Sequence, residues 1–132
     1  MPIIGIGLDL IYISRIAKSI ERYGERFIQR VYHPLETEFA RKRRKQAEFY
    51  AGCFAVKEAT LKALGDFPGR GIAWTDIYIT HQRSGKPVLH ITGRAQDLAQ
   101  EKGVNRAHVS ITHDGDIAQA YVILERQDAA PQ

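Results

Sequence analysis

The hydrophobic pattern of this chain changes from helical spacing in the first half to short, strand-like segments in the second. Between Gln46 and Leu64 the sequence is rich in Ala, Leu and Lys and contains no Pro, and its apolar residues recur at helical spacing, which predicts one long helix. After it, short apolar segments alternate with turn signals such as Ser84-Gly85 and Asp114-Gly115. Helices followed by hairpins favour an α+β domain with a mainly antiparallel sheet.

A short apolar segment near the N-terminus predicts the first strand. It runs from Ile3 to Leu10, and the strand is expected to end near Asp9. Gly5 and Gly7 interrupt the segment, and glycine inside a strand is typical of a place where another backbone approaches closely. We therefore expect this strand to be buried against another element.

Two further helices are predicted before the long one. Ser14 is expected to cap the first of them, which ends at Gly24. His33-Pro34 is expected to open the second, because proline is well tolerated in the first turn of a helix. Pro68-Gly69 is expected to stop any continuation of the long helix.

The second half is predicted to contain several strands and one helix. The first strand of this half spans residues 72–79, with an irregularity at Thr75-Asp76. Regular strands follow at residues 88–92, 108–113 and 117–124. The helix begins after Gly93 and ends at Gly103. Residues 1–126 are thus predicted to form one domain, and residues 127–132, which lack an apolar anchor, a frayed tail.

Composition restricts the class of protein and its compartment. A chain of 132 residues with 44% hydrophobic and 26% charged residues is typical of a single globular domain. The single cysteine, Cys53, excludes an intrachain disulfide and a Cys-rich metal site, which favours a reducing compartment, the cytoplasm. No apolar run approaches the roughly 20 residues of a membrane span, so we expect no membrane partner.

The positive charge of the chain is concentrated in one basic run, residues 41–45, within a formal net charge of +4. Such a run favours an anionic partner, whether phosphate, nucleic acid or an acidic protein, but it also suits a solvated helix end whose cations complement the helix dipole. A small nucleic-acid-binding domain is the main alternative function. A recognised reader motif is missing and aromatic residues do not interleave with the run, so we expect no nucleic-acid partner.

Four charged residues are candidates for a shared site: Asp9 after the first apolar segment, and Lys57, Glu58 and Lys62 in the long helix. The three helical side chains fall within about 140° of one another around the axis. Carboxylates from two elements suit Mg²⁺, which binds one or two of them together with waters and substrate phosphates. The structural alternatives are a surface ion pair between Glu58 and Lys62 and a capping role for Asp9.

Two segments resemble the signatures of the 4'-phosphopantetheinyl transferases. Residues 7–15 (GLDLIYISR) resemble the first signature, G-x-D followed by five residues and an Arg, and residues 54–62 (FAVKEATLK) resemble the second, an aromatic residue followed by x-x-K-E-A-x-x-K. Residues 85–87 and 108–113 also resemble recurring segments of the family. The resemblance runs from about Ile3 to Glu125, and the length is that of the single-unit, acyl-carrier-protein synthase type.

This resemblance implies the α+β fold of the 4'-phosphopantetheinyl transferases. It also implies a reaction, the transfer of 4'-phosphopantetheine from coenzyme A to a serine of acyl carrier protein for fatty acid biosynthesis. Asp9 and Glu58 are then expected to bind Mg²⁺, the implied cofactor, and Lys57 and Lys62 to contact the phosphates. Glu58, acting directly or through a metal-bound water, is the expected base for the serine proton.

The resemblance further implies a coenzyme A site and protein partners. His113 is expected to line the coenzyme A site; the alternative is a strand-end histidine satisfied by the turn at Asp114. A homotrimer with active sites at the subunit interfaces is expected from the short family members. The basic run at residues 41–45 is expected to attract acyl carrier protein, which is strongly acidic as a family.

Overall fold

The computed structural model describes residues 2–65 and 71–128 of the chain. In chain order the elements are β1 (Ile3–Tyr12), α1 (Ile13–Tyr23), α2 (Glu25–Val31), α3 (Pro34–Arg41), α4 (Gln46–Leu64), a 3-10 turn (Trp74–Asp76), β2 (Ile77–His81), β3 (Pro87–Ile91), α5 (Gly93–Glu101), β4 (Arg106–Asp114) and β5 (Ile117–Glu125). The α+β prediction is confirmed.

The strands form two antiparallel sheets. One has the order β1-β5-β4 and the other is the β2-β3 hairpin. The predicted turn at Asp114-Gly115 joins β4 to β5, and the predicted irregularity at Thr75-Asp76 is the 3-10 turn before β2. The mainly antiparallel arrangement is therefore as predicted, although the strands divide between two sheets.

Helix α4 forms the centre of the core. Most of its residues are buried, and it lies across β1 and β5. A Cβ atom at Gly5 or Gly7 would overlap the backbone carbonyl groups of Ala63 or Ala59, so the absence of side chains lets the strand and the helix touch. The close approach predicted from the two glycines is confirmed, and it places the middle of β1 directly beside α4.

Two local predictions differ from the structure at the junction of β1 and α1. β1 continues past Asp9 to Tyr12, which pairs with Ile117 of β5. Ser14 lies inside the first turn of α1 and is not its cap. Its backbone N–H and its hydroxyl donate hydrogen bonds of 2.9 and 2.6 Å to the Asp116 carboxylate, so a residue distant in sequence satisfies this helix end.

The remaining helix boundaries follow the local signals. His33 caps α3, with its Nδ1 accepting a 3.1 Å hydrogen bond from the Leu35 N–H, and Pro34 is the first helical residue. α4 has the predicted bounds and ends at Gly65, which has a φ of 73°. The predicted break at Pro68-Gly69 lies outside the described residues. Helix α2 was not predicted, because Gly24 ends one helix and the next begins immediately.

The chain beyond β5 is described only as far as residue 128. Asn105 holds the backbone of Gln127 through hydrogen bonds of 2.8 and 2.7 Å. The predicted frayed tail therefore has a fixed first residue, and residues 129–132 lie outside the described part of the chain.

Candidate active site

Asp9 and Lys62 meet where β1 crosses α4. Asp9 is 7% exposed, and its Oδ1 lies 3.1 Å from the Lys62 Nζ. The same ammonium group donates a 3.0 Å hydrogen bond to the Leu8 carbonyl oxygen, while the Lys62 side chain remains 58% exposed. A carboxylate facing the core is thus held beside a cation that still reaches solvent.

Glu58 lies one turn before Lys62 on α4 and adjoins Asp9. Burial, together with the hydrogen bond and negative charge of Asp9, raises the pKa of Glu58 from 4.5 to about 7, against the opposing effects of Lys62 and Arg15. Two neighbouring carboxylates disfavour each other's ionisation. The structure therefore brings together Asp9, Glu58 and Lys62, as predicted.

The Asp9–Glu58 pair has the features of a binding site for a hard divalent cation. Asp9 Oδ2 is buried and has no hydrogen-bond partner among the described residues. A buried carboxylate oxygen without a donor carries a free-energy cost that a cation would remove. Within residues 2–65 and 71–128 there is no cluster of three or more metal-ligating side chains. A site with only two carboxylates is suited to Mg²⁺, because this ion usually completes its coordination with waters and substrate phosphates.

Lys57, which was predicted to contact phosphates, lies elsewhere. Its side chain is 0% exposed, and its Nζ forms a 2.7 Å ion pair with Glu36 Oε1. The same Nζ donates hydrogen bonds to the carbonyl oxygens of Trp74 and Ile77. All three ammonium hydrogens are therefore used inside the protein. This placement contradicts the predicted phosphate contact of Lys57.

A pocket of about 620 Å³ lies beside the first half of α4 and contains His113. Its walls come from the basic run, α3, α4, the β2-β3 hairpin and β4. The lining residues are Phe39, Lys42, Arg43, Arg44, Lys45, Glu48, Phe49, Gly52, Ile79, His81, Gly85, Pro87, Ile111 and His113. Because four of the five residues of the basic run line it, the pocket is suited to an anionic ligand.

His113 is held against α4 in this pocket. Its Nδ1 lies 3.7 Å from Glu48 Oε1. On the other side of the ring, a Cβ atom built at Gly52 would lie 3.1 Å from Nε2, so the glycine provides the space that the ring occupies. Glu48 and Gly52 are one turn apart on the same helix, and together they form the surface on which His113 rests.

His81 contributes a second imidazole to the pocket. Its ring stacks on Phe39 at a centroid distance of 4.4 Å, and its Nδ1 is buried without a hydrogen-bond partner among the described residues. Burial lowers the pKa of His81, and the positive charge of Arg43 lowers it further, while Glu36 opposes the shift. The neutral imidazole is therefore the favoured form.

The sequence also matches known proteins along most of its length. A sequence profile of the 4'-phosphopantetheinyl transferase superfamily matches residues 5–122. The chain belongs to this superfamily.

Individual relatives within the 4'-phosphopantetheinyl transferase superfamily resemble the whole chain. The holo-[acyl-carrier-protein] synthase of Maricaulis maris is 48% identical over 127 residues, which cover 93% of this chain and 89% of that protein. The crystal structure of holo-[acyl-carrier-protein] synthase from Neisseria meningitidis has a TM-score of 0.86 and 30% identity, and the match covers 95% of this chain and 100% of that chain. For the Helicobacter pylori enzyme in complex with coenzyme A, the TM-score is 0.80, the identity 28%, and the coverage 91% and 99%.

The two parts of the site are separate in a single 4'-phosphopantetheinyl transferase chain. Gly52 lines the pocket, whereas Glu58 lies six residues further along α4, a rise of about 9 Å along the axis. None of Asp9, Glu58 and Lys62 is among the residues that line the pocket. In one chain the basic pocket and the carboxylate pair are therefore separate features.

Along β1 and at Tyr121 of β5, the outer face of the three-stranded sheet is apolar and exposed. Alternate residues of β1 point away from α4, and Tyr121 of β5 lies opposite Leu8. The exposed apolar side chains of this face, which we call the outer sheet face, are Ile6, Leu8, Leu10, Tyr12 and Tyr121. A contiguous apolar patch of this kind is typical of a protein–protein interface.

Sequence reasoning missed the pocket residues Glu48, Gly52 and His81 and the buried partner of Lys57. Glu36 had the local features of a residue in the first turn of α3, and its 21-residue separation from Lys57 gave no signal of a contact. Among the helices in the described ranges, none has the length and apolar character needed to cross a membrane.

Proposed function

We propose that this chain transfers 4'-phosphopantetheine from coenzyme A to a serine of apo-acyl carrier protein, for fatty acid biosynthesis. The observation that carries the proposal is the Asp9–Glu58 carboxylate pair beside Lys62 in a chain of the 4'-phosphopantetheinyl transferase superfamily. The names of its relatives support the reaction, and the coenzyme A complex of the Helicobacter pylori protein supports the donor. The products are holo-acyl carrier protein and adenosine 3',5'-bisphosphate.

The pocket beside His113 is proposed to hold the nucleotide end of coenzyme A. Its volume of about 620 Å³ is typical of a small-molecule site. The cations of residues 42–45 are suited to the phosphate groups, and His113 and the aromatic side chains of Phe39 and Phe49 offer surfaces for the base or ribose. This assigns to the basic run a role in binding coenzyme A.

Asp9 and Glu58 are proposed to hold Mg²⁺ against the pyrophosphate of coenzyme A. When bound, Mg²⁺ neutralises charge on the phosphoryl oxygens and polarises the group that is transferred. The exposed ammonium group of Lys62, fixed by the Leu8 carbonyl and by Asp9, adds a second positive charge at the same place. Charge neutralisation and positioning account for most of the catalysis in phosphoryl transfer.

Glu58 is proposed to accept the proton of the carrier serine. The serine oxygen forms the new bond to phosphorus, the bond from phosphorus to the oxygen of adenosine 3',5'-bisphosphate breaks, and the serine proton passes to the Glu58 carboxylate. A carboxylate positioned at the reacting group can act as the base in such a step. The place of Glu58 in the carboxylate pair, beside the exposed ammonium group of Lys62, supports this role.

The chain is further proposed to act as a homotrimer with active sites between subunits. The exposed outer sheet face offers an apolar surface for neighbouring copies. Within a single chain the pocket and the carboxylate pair lie apart. If one reaction uses both, an active site to which two subunits contribute is favoured. Closed symmetric assemblies are the common form of such association.

Acyl carrier protein is proposed to dock on helices α1 and α2. Four of the five cations first assigned to docking line the pocket, which leaves Arg41 outside it. The exposed cations of α1 and α2 are Arg15, Lys18, Arg22, Arg26 and Arg30. Arg15 is close enough to influence Glu58, so this basic surface leads to the carboxylate pair. An acidic partner is attracted to such a surface.

We also propose a cytoplasmic setting without a nucleic-acid partner. The only cysteine, Cys53, is fully buried, which agrees with a protein that does not depend on disulfides. The basic run was the feature that favoured a nucleic-acid partner. Four of its five residues line a pocket of small-molecule size, which argues against an extended polyanion as its ligand.

The reaction is tested by incubating the full chain with apo-acyl carrier protein, coenzyme A and Mg²⁺ and measuring the intact mass of the carrier. The expected result is a mass increase of one phosphopantetheine per carrier, lost when the carrier serine is replaced by alanine. An unchanged carrier mass in the presence of intact coenzyme A would refute the proposed function.

A further inference from the structure

Glu36 of α3 and Lys57 of α4 form an ion pair that is completely enclosed. The Lys57 Nζ lies 2.7 Å from Glu36 Oε1, and both side chains are 0% exposed. The same two side chains also bind the backbone around them. The Glu36 carboxylate accepts hydrogen bonds from the N–H groups of His33 at 3.1 Å and Ile79 at 3.2 Å.

The pair connects three separate elements. Glu36 belongs to α3 and Lys57 to α4, while Ile79 lies in β2 and donates directly to the carboxylate. Lys57 binds the carbonyl oxygens of Trp74 and Ile77, which lie just before and at the start of β2. Every hydrogen of the ammonium group and both carboxylate oxygens have partners, so the network is fully satisfied.

The same three elements contribute six of the fourteen residues that line the pocket: Phe39 of α3, Glu48, Phe49 and Gly52 of α4, and Ile79 and His81 of β2. Ile79 both donates its N–H to Glu36 and lines the pocket. An aromatic layer with one ring from each element also lines the pocket. In this layer Phe39 of α3 contacts Phe49 of α4 at a centroid distance of 5.1 Å and His81 of β2 at 4.4 Å.

The energetics of buried ion pairs indicate that this pair contributes more to the geometry of the fold than to its stability. Removing two charges from water costs several kcal/mol for each ion, and well-packed apolar residues at such a position are often at least as stable. An ion pair with directed hydrogen bonds, however, fixes the relative position of its elements more narrowly than apolar contacts do. Here the directed bonds fix α3, α4 and β2 behind the pocket.

We propose that Glu36 and Lys57 are positioning residues that hold α3, α4 and β2, three of the walls of the pocket, in the register needed to bind coenzyme A. The inference rests on the proposed function, in which the pocket takes the nucleotide end of coenzyme A. It gives the lysine of the K-E-A signature a role behind the site, while the adjacent Glu58 acts within it.

The test compares the affinity of full-length variants for adenosine 3',5'-bisphosphate, measured by calorimetry at a temperature at which each variant is folded. The variants are Glu36→Gln, Lys57→Met and the double variant, which removes both charges. Leu124→Ala is the control, because Leu124 is a buried core residue of β5, outside the three elements joined by the pair. All four variants are expected to have a lower Tm than the wild type, the single charge variants by about 10 °C or more.

The expected result is about tenfold weaker binding in Glu36→Gln, Lys57→Met and the double variant, and wild-type affinity in Leu124→Ala, whatever its Tm. The double variant should recover part of the Tm but not the affinity. If either single variant does not fold, the double variant decides. Unchanged affinity in the charge variants, or affinity that follows the Tm through all the variants, would overturn the inference. If the wild-type protein itself does not bind the nucleotide, the pocket assignment fails first, and the inference fails with it.

Discussion

Glu58 illustrates how neighbouring residues set the charge of a single side chain. Burial and the adjacent Asp9 carboxylate raise its pKa from 4.5 to about 7. Because the folded pKa lies above the unfolded one, the stability from proton binding is fully present below about pH 4.5 and is lost as the pH rises to about 7. A divalent cation requires the ionised carboxylates, so it competes with this proton.

Mg²⁺ is therefore predicted to raise the Tm of the protein more at about pH 8 than at about pH 6. Thermal unfolding with and without Mg²⁺ at both pH values measures the effect. The control variant Glu58→Gln keeps the side-chain shape but does not titrate, and its Mg²⁺ shift should be small and independent of pH. Equal shifts in the wild-type protein at both pH values would contradict the assignment of Glu58.

Helix α4 carries most of the candidate site, and its sequence predicted its bounds but not its orientation. The apolar and small residues of α4 lie on all sides of the helix, and most of its positions are buried. The sequence pattern therefore did not distinguish one face of the helix from another. Glu58 and Lys62 lie beside β1, whereas Lys57 is turned into the core, 100° or so away around the axis. Only the tertiary contact with Glu36 reveals that difference.

On the same helix, Gly52→Ala is predicted to raise the KM for coenzyme A about tenfold while the Tm stays the same or rises. Alanine favours a helix by about 1 kcal/mol relative to glycine, but its Cβ would press on His113 Nε2 at 3.1 Å and move the ring. Steady-state kinetics and thermal unfolding separate the two effects. In a His113→Ala background the same change should no longer affect the KM; a persisting increase would show that Gly52 acts independently of His113.

At the scale of the whole molecule, β1 reverses the usual pattern of a sheet. Asp9 faces inward, and apolar residues such as Leu8 and Leu10 face outward. This inversion explains why the sequence prediction ended the strand at Asp9, since a charge there has the appearance of a strand end. The pattern is physically reasonable if the outer sheet face is covered by other copies of the chain, which the sequence of one chain does not display.

Ile6→Glu is accordingly predicted to dissociate the proposed homotrimer and abolish transfer. Ile6 is 57% exposed on the outer sheet face, and a charge there would be buried without a partner in the assembly. Leu35→Glu is the matched control, because Leu35 of α3 is 45% exposed outside this face. Sedimentation velocity should give a trimer for the wild type and the control and a monomer for Ile6→Glu. A monomeric wild-type protein with full activity would contradict the proposed assembly.

Two basic surfaces are predicted to affect different substrates. Lys18→Glu with Arg22→Glu should lower kcat/KM for the carrier and flatten its salt dependence, because exposed charges mainly accelerate encounter and are screened within about 8–10 Å. Arg44→Glu, in the pocket, should instead raise the KM for coenzyme A. Steady-state kinetics with each substrate varied at several salt concentrations separates the surfaces. If only Arg44→Glu lowered kcat/KM for the carrier, without an effect on the KM for coenzyme A, the carrier would dock on the basic run and not on α1 and α2.

The central claim, that the carboxylate pair at β1 and α4 performs the transfer, is tested most directly by Asp9→Asn. Asparagine keeps the shape of the side chain and an oxygen for Lys62, but it removes the charge that is proposed to bind Mg²⁺. The measurement is the intact mass of acyl carrier protein after incubation with coenzyme A, Mg²⁺ and either wild-type or variant protein, with folding checked by thermal unfolding. We expect a phosphopantetheine mass increase with the wild type and an unchanged carrier mass with folded Asp9→Asn; modification by the variant at the wild-type rate would contradict the assignment of the carboxylate pair.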